Sequence, residues 1–201
     1  MTITYELGNS LYVNLTNRCT NNCVFCVRNN HDGVNGKDNL WLDREPGIEE
    51  IKSDFKTRNL NSYDSVVFCG YGEPLIRFDD VIQISKWIKE QLPDMKIRIN
   101  TNGQANLICG RDVTPELKGL IDTISISLNA DNANRYQELC KSCYGTDAYN
   151  AVLEFATLAK KYVPHVILSV VDKDMTPKEI DACRSIADKC GVKLRIREYI
   201  K

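Results

Sequence analysis

No run of this chain is long and apolar enough to cross a bilayer, and its first ten residues lack the hydrophobic stretch of a secretory leader. A cytoplasmic protein with no membrane contact is the expectation. An excess of charge is missing too: 26 Lys and Arg nearly cancel 27 Asp and Glu, leaving a net −1. That argues against broad binding to nucleic acid or anionic lipid and leaves room only for a local basic patch. There is no long linker, low-complexity tract or charge block, so residues 1–201 are expected to form one domain. With 43% hydrophobic and 26% charged residues, disorder is disfavoured and a sizeable core is affordable. Cysteine, by contrast, is plentiful, at nine. In a reducing compartment such thiols serve metal binding, catalysis or core packing rather than disulfides.

Strand-like runs at 11–16, 65–69, 96–101, 123–128, 166–171 and 193–199 alternate with amphipathic helical segments. Ile48, Ile51 and Phe55 share one helical face, as do Val81, Ile84 and Ile88. Thr114-Pro115 and Thr176-Pro177 each read as an N-cap followed by proline at the first helical position. Glu179 completes a capping box with Thr176, and Gly191 is placed to end that last helix. Alternating strands and helices imply right-handed βαβ units and a parallel sheet. Several strands alternate apolar with polar residues, as in Ile97-Arg98-Ile99-Asn100 and Leu194-Arg195-Ile196-Arg197. A flat parallel sheet covered by helices on both faces would be apolar throughout. A curved sheet with a wet interior resolves the conflict, and six units are too few to close it. The expected fold is therefore α/β, a partial (βα)6 TIM-type barrel with parallel strands and an open side.

Chemistry in such barrels gathers at the C-terminal ends of the strands. The run Cys19-Thr-Asn-Asn-Cys23-Val-Phe-Cys26 directly follows the first expected strand. Three thiolates with no obvious fourth suit an iron–sulfur cluster with one open iron, where a cofactor or substrate can bind. Viewed alone, they equally suit a zinc-binding interaction module, with His31 as fourth ligand. The second expected strand runs into Gly70-Tyr71-Gly72-Glu73-Pro74, where glycine permits close approach to a ligand and Glu73 offers an acceptor for an ammonium group. The third ends in Thr101-Asn102-Gly103 and the fourth in Ser127-Leu128-Asn129.

Taken together, these residues resemble the radical S-adenosylmethionine superfamily. Cys19-x3-Cys23-x2-Cys26 matches its cluster motif, and Phe25 matches the hydrophobic residue before the third cysteine. Gly70-Tyr71-Gly72-Glu73-Pro74 is similar to its glycine-glycine-glutamate-proline motif, with Tyr71 as a departure. More narrowly, the chain is similar to small radical proteins associated with TatD-type hydrolases. The resemblance implies a [4Fe–4S] cluster on Cys19, Cys23 and Cys26, with S-adenosylmethionine chelating the fourth iron. It implies cofactor contacts from Phe25, Gly70, Tyr71, Gly72, Glu73, Asn102, Ser127, Asn129, Ser169 and Arg197. Reductive cleavage would give a 5′-deoxyadenosyl radical that abstracts hydrogen from a substrate the sequence does not identify, a protein or peptide among the options. It further implies oxygen sensitivity and an electron donor such as flavodoxin or ferredoxin. The open side leaves room for a protein partner, a TatD-type hydrolase included.

Cys140 and Cys143 follow the fourth expected strand and are candidates for catalysis, as hydrogen donor or redox pair, against the plainer reading of an incidental pair at a helix end. Cys69, Cys183 and Cys190 read as packing, and Cys109 as a loop residue facing the site. Arg111 and Asp112 read either as an anion site or as a solvated loop, and His165 as structural, at the far end of the barrel.

Overall fold

The computed structural model describes residues 1–29 and 39–199. His31 lies outside them. Among the described residues seven strands form one sheet in chain order: β1 (Thr4–Leu7), β2 (Ser10–Val13), β3 (Ser65–Phe68), β4 (Lys96–Thr101), β5 (Thr123–Ser127), β6 (His165–Asp172) and β7 (Lys193–Glu198). From β2 to β7 every neighbouring pair is parallel, and β1 does not pair with β7, so the barrel is partial and open-sided. β1 adds an antiparallel edge that the sequence reading omitted. Its hairpin sets Leu7 opposite Ser10 across Gly8-Asn9, with Gly8 at φ 58°. Glycine takes that left-handed conformation without strain, which a two-residue hairpin turn demands.

The helices are α1 (Ile48–Lys56), α2 (Phe78–Gln91), α3 (Ala105–Cys109), α4 (Ala133–Cys140), α5 (Asp147–Ala159) and α6 (Pro177–Lys189). They cover the outer, apolar face of the sheet. Ile51 and Phe55 of α1 and Val81, Ile84 and Ile88 of α2 join Ile97, Ile99, Ile124 and Ile126 in one core, all fully buried. Each such side chain contributes about 1.5–3 kcal/mol on leaving water. The Thr176–Glu179 capping box forms as expected, and Gly191 ends α6 at φ 67°. Thr114 does not cap a helix. It opens a single turn, Thr114–Leu117, and Asp112 Oδ1 accepts from its N–H and hydroxyl instead. Among the described residues no helix is long and apolar enough to cross a membrane.

Candidate active site

The cysteine loop leaves β2 and is fastened at its far side to the end of α4. Asn22 N–H donates to Cys140 O at 2.9 Å, Val24 N–H to Leu139 O at 2.9 Å, and Cys143 N–H to Thr20 O at 2.8 Å. Beneath it runs a buried polar network. Asn21 Nδ2 and Gln104 Nε2 both donate to Tyr136 Oη, at 3.1 and 3.0 Å, and Gln104 Nε2 also reaches Asn21 Oδ1 at 2.8 Å. Ser142 Oγ donates to Gln104 Oε1 at 3.1 Å. Satisfied buried networks of this kind hold one conformation, because any other leaves amides unpaired.

The glycines of 70–74 serve the same assembly. A methyl group on Gly72 would stand 2.2 Å from Thr16 O, and one on Gly70 would stand 2.1 Å from Asn14 Oδ1. The close approach that requires glycine is thus to the chain leading into the cysteine loop. Glu73 N–H donates to Arg18 O at 2.8 Å, so 70–73 and the cysteine loop are tied directly. The Glu73 carboxylate is 3% exposed and accepts from Leu75 N, Thr101 Oγ1 and Asn102 N at 3.0, 2.8 and 2.6 Å. Three of its roughly four acceptor positions are thereby occupied. Burial outweighs these bonds and pushes its pKa up to about 7.

These elements enclose a cavity of about 230 Å³ at the C-terminal ends of the strands. Cys19, Cys23, Cys26, Phe25, Gly70, Gly72, Glu73, Asn102, Ser127, Asn129 and Arg197 all line it. Tyr71 and Ser169 do not. Tyr71 packs with Tyr5 and Leu40 in a separate apolar cluster, edge-on to Trp41, and Ser169 is 1% exposed beneath the wall. The lining also includes Cys69, Asn100, Thr101, Val171 and Tyr199, which sequence reasoning did not place there. Cys69 had read as packing. Its position one residue past β3, on the inward side, was the available signal. Cys109 lies instead in a shallow outer hollow with Arg18, Arg77 and Arg111. Arg111 pairs with Glu116, and Asp112 holds Thr114, so both are engaged locally. Cys183 is fully buried and Cys190 packs against the core. His165 opens β6 beside a hollow of about 600 Å³ at the opposite end of the barrel.

Cys19 Sγ receives Asn21 N–H at 3.4 Å and faces Asn102 Nδ2 at 3.9 Å. Burial, then the nearby Glu73, pushes the Cys19 thiol up to about 12. Cys23 is raised by its contact with the Cys140 thiol and by burial, and Cys26 by burial. Metals bind cysteine as thiolate, so loading this site releases protons. Cys140 is buried behind Cys23, whereas Cys143 is exposed, so the two cysteines do not face the cavity as a pair.

Among the described residues no three His, Cys, Asp or Glu side chains converge on a point that would hold one metal ion. The zinc reading needs such convergence and is not supported. A cluster carries its irons apart from one another, so its thiolates need only surround it. Two features of the wall fit an organic cofactor beside that cluster. Asn129 Oδ1 is buried without a hydrogen-bond partner, and so is Arg197 Nε, where a bound carboxylate, ribose or amine would satisfy them.

Residues 13–186 match the Radical SAM superfamily profile. A probable GTP 3′,8-cyclase of Methanocaldococcus jannaschii is 30% identical over 195 residues, covering 95% of this chain and 59% of that protein. The chain spans about half the length of the curated relatives it matches. Its fold is shared with Streptococcus suis SuiB bound to precursor peptide SuiA, at TM-score 0.68 and 16% identity over 98% of this chain and 40% of SuiB. SuiB bound to S-adenosylmethionine superposes at TM-score 0.67 and 16% identity, over 96% of this chain and 41% of SuiB. The chain belongs to the radical SAM superfamily, whose enzymes use a [4Fe–4S] cluster and S-adenosylmethionine.

Proposed function

We propose that this chain reductively cleaves S-adenosylmethionine and uses the product to take a hydrogen atom from a bound substrate. The observation that carries the reading is the convergence of Cys19, Cys23 and Cys26 with Glu73, Asn102, Asn129 and Arg197 on one cavity. When bound, the cluster and S-adenosylmethionine supply an electron and a cleavable sulfonium, giving methionine and a 5′-deoxyadenosyl radical. The chain's residues bind and orient. The three thiolates hold the cluster, and N–H groups of Asn21 and Asn102 face Cys19 sulfur, where such bonds tune cluster potential. Glu73 has one acceptor position left for an ammonium group, Asn129 Oδ1 and Ser127 Oγ accept from hydroxyls, and Phe25 offers a flat apolar surface.

A reducing cytoplasm suits nine free thiols. A flavodoxin- or ferredoxin-type electron donor and a protein partner on the open side, a TatD-type hydrolase included, are part of the proposal. GTP is the first substrate to try, on the strength of the relative 30% identical to this chain.

The test is anaerobic. The protein is reconstituted with iron and sulfide, reduced with dithionite and given S-adenosylmethionine, and 5′-deoxyadenosine is quantified. Product that disappears in Cys23→Ala supports the proposal. Stoichiometric zinc, with neither iron chromophore nor product, would sink it.

A further inference from the structure

The inner face of the barrel carries three guanidinium groups with no acidic partner among the described residues. Arg98 lies midway along β4, and Arg195 and Arg197 alternate inward along β7. Arg197 lines the cavity, while Arg98 and Arg195 lie one layer deeper, off the cavity wall. Arg98 Nε donates to Asn100 Oδ1 at 2.8 Å, and Arg197 reaches Ser127 Oγ only at 3.5 Å. Among the described residues, nine ion pairs form and none includes these three. The two carboxylates on the cavity wall do not serve them. Glu73 is held by three donors, and Glu198 stands at the rim, exposed.

The three arginines feel one another. Burial, then the charge of Arg195, lowers the pKa of Arg98; burial lowers that of Arg197, with Cys69 opposing and Arg195 and Arg98 adding to the drop. Arg98 and Arg197 are half-buried beside the exposed Arg195, and like charges partly desolvated in this way are costly unless an anion completes them. Planar guanidinium groups match phosphate and carboxylate oxygens two at a time.

We infer that the middle of the barrel lumen is an oxyanion subsite, in which Arg98, Arg195 and Arg197 hold a phosphate or carboxylate group of the substrate. The group sits below the cofactor cavity, and the rest of the substrate extends up toward it. Only the identity of the anion as substrate rests on the proposed radical reaction; its binding does not.

The experiment is a calorimetric titration of the full chain at low ionic strength, without reductant or S-adenosylmethionine. The probes are inorganic pyrophosphate and, separately, succinate. One-site binding of at least one probe is expected, weakened about tenfold or more by Arg98→Met and by Arg195→Met. Arg195 is exposed, so its variant tests the inference even where Arg98→Met fails to fold. Arg184→Met, an exposed site on α6, removes the same charge outside the lumen and is expected to leave affinity unchanged. Binding of pyrophosphate alone assigns a phosphate-bearing substrate, and of succinate alone a carboxylate. Binding of both supports the subsite without choosing. No binding of either probe up to roughly 10 mM overturns it, as does equal weakening by Arg184→Met or none by the lumen variants. Since 5′-deoxyadenosine formation is read separately, failure here leaves the radical reaction standing, and the converse holds.

Discussion

Glu73 is a buried carboxyl whose pKa burial moves from 4.5 to about 7. A group that binds its proton more tightly when folded stabilises the native state at low pH. That stabilisation is complete below about pH 4.5, declines between pH 4.5 and 7, and is gone above the folded pKa. At about 1.4 kcal/mol for each tenfold in the proton equilibrium, the displacement is worth about 3 kcal/mol. One kcal/mol moves the unfolding midpoint of a chain of this size by roughly 2–4 °C. Glu73→Gln cannot ionise. Its amide faces the Asn102, Leu75 and Thr101 donors with one acceptor fewer, which costs about 1–3 kcal/mol at every pH. The assay is thermal unfolding of both proteins across pH 4.5 to about 8. The variant is expected to gain roughly 6–12 °C relative to wild type as pH rises to about 7, with no further change above. Parallel curves would refute the reasoning, because they would mean that the three hydrogen bonds, not burial, set the ionisation of Glu73.

Tyr136→Phe removes the hydroxyl that receives both Asn21 and Gln104. It is expected to cost about 1–3 kcal/mol in urea unfolding and to speed loss of iron from the reconstituted protein to a chelator; an unchanged iron off-rate would mean the network does not hold the cysteine loop. Gly72→Ala drives a methyl group onto Thr16 O and is expected to lose about 2 kcal/mol or more, or to fail to fold, as read by thermal unfolding. A midpoint matching wild type would show that the chain yields there easily. Asn129 sits at φ 57°, so Asn129→Ala is expected to be less stable than Asn129→Gly by about 1 kcal/mol. Both remove the unpartnered Oδ1 and should weaken S-adenosylmethionine binding alike, a pattern that separates backbone strain from contact.

What the sequence made legible was local. Cysteine spacing, the glycines of 70–74, capping residues and two-residue alternation are written within a few positions of one another. Each lands close to where it was read, except that Thr114 opens a single turn rather than capping a helix; the strand ends coincide or differ by at most three residues. What stayed hidden was long-range. Asn21 and Tyr136 bond across 115 positions, and nothing near either marks it as other than a loop polar residue or a core aromatic. Cys140 and Cys143 read as a pair because they are neighbours in sequence. The end of α4 turns one inward against Cys23 and the other out to solvent. Gly70 and Gly72 line the cavity, but the close approach that excludes a side chain there is to the Asn14 side chain and the Thr16 carbonyl, which nothing near them in sequence marks. The β1 hairpin carried a signal in Gly8-Asn9, but four residues are too few for periodicity to register.

The alternation within the strands bears most directly on function. Ile97, Ile99, Ile124 and Ile126 face the helices fully buried, while Arg98, Asn100, Ser125 and Ser127 turn inward from the same strands. A closed eight-stranded barrel fills its interior with packed side chains. Here the sheet stops at β1 and β7, so the interior stays polar and can be divided by height. The strand ends and their loops place thiols, a buried carboxylate and unpartnered amide oxygen around one cavity. The layer below places cations with no counterion among the described residues. Arg197 belongs to the cavity wall and, by its position on β7, to that cationic layer. On the proposed subsite, a substrate anchored below by its anionic group would present its far end to the cofactor cavity, and Arg197 would feel both ligands.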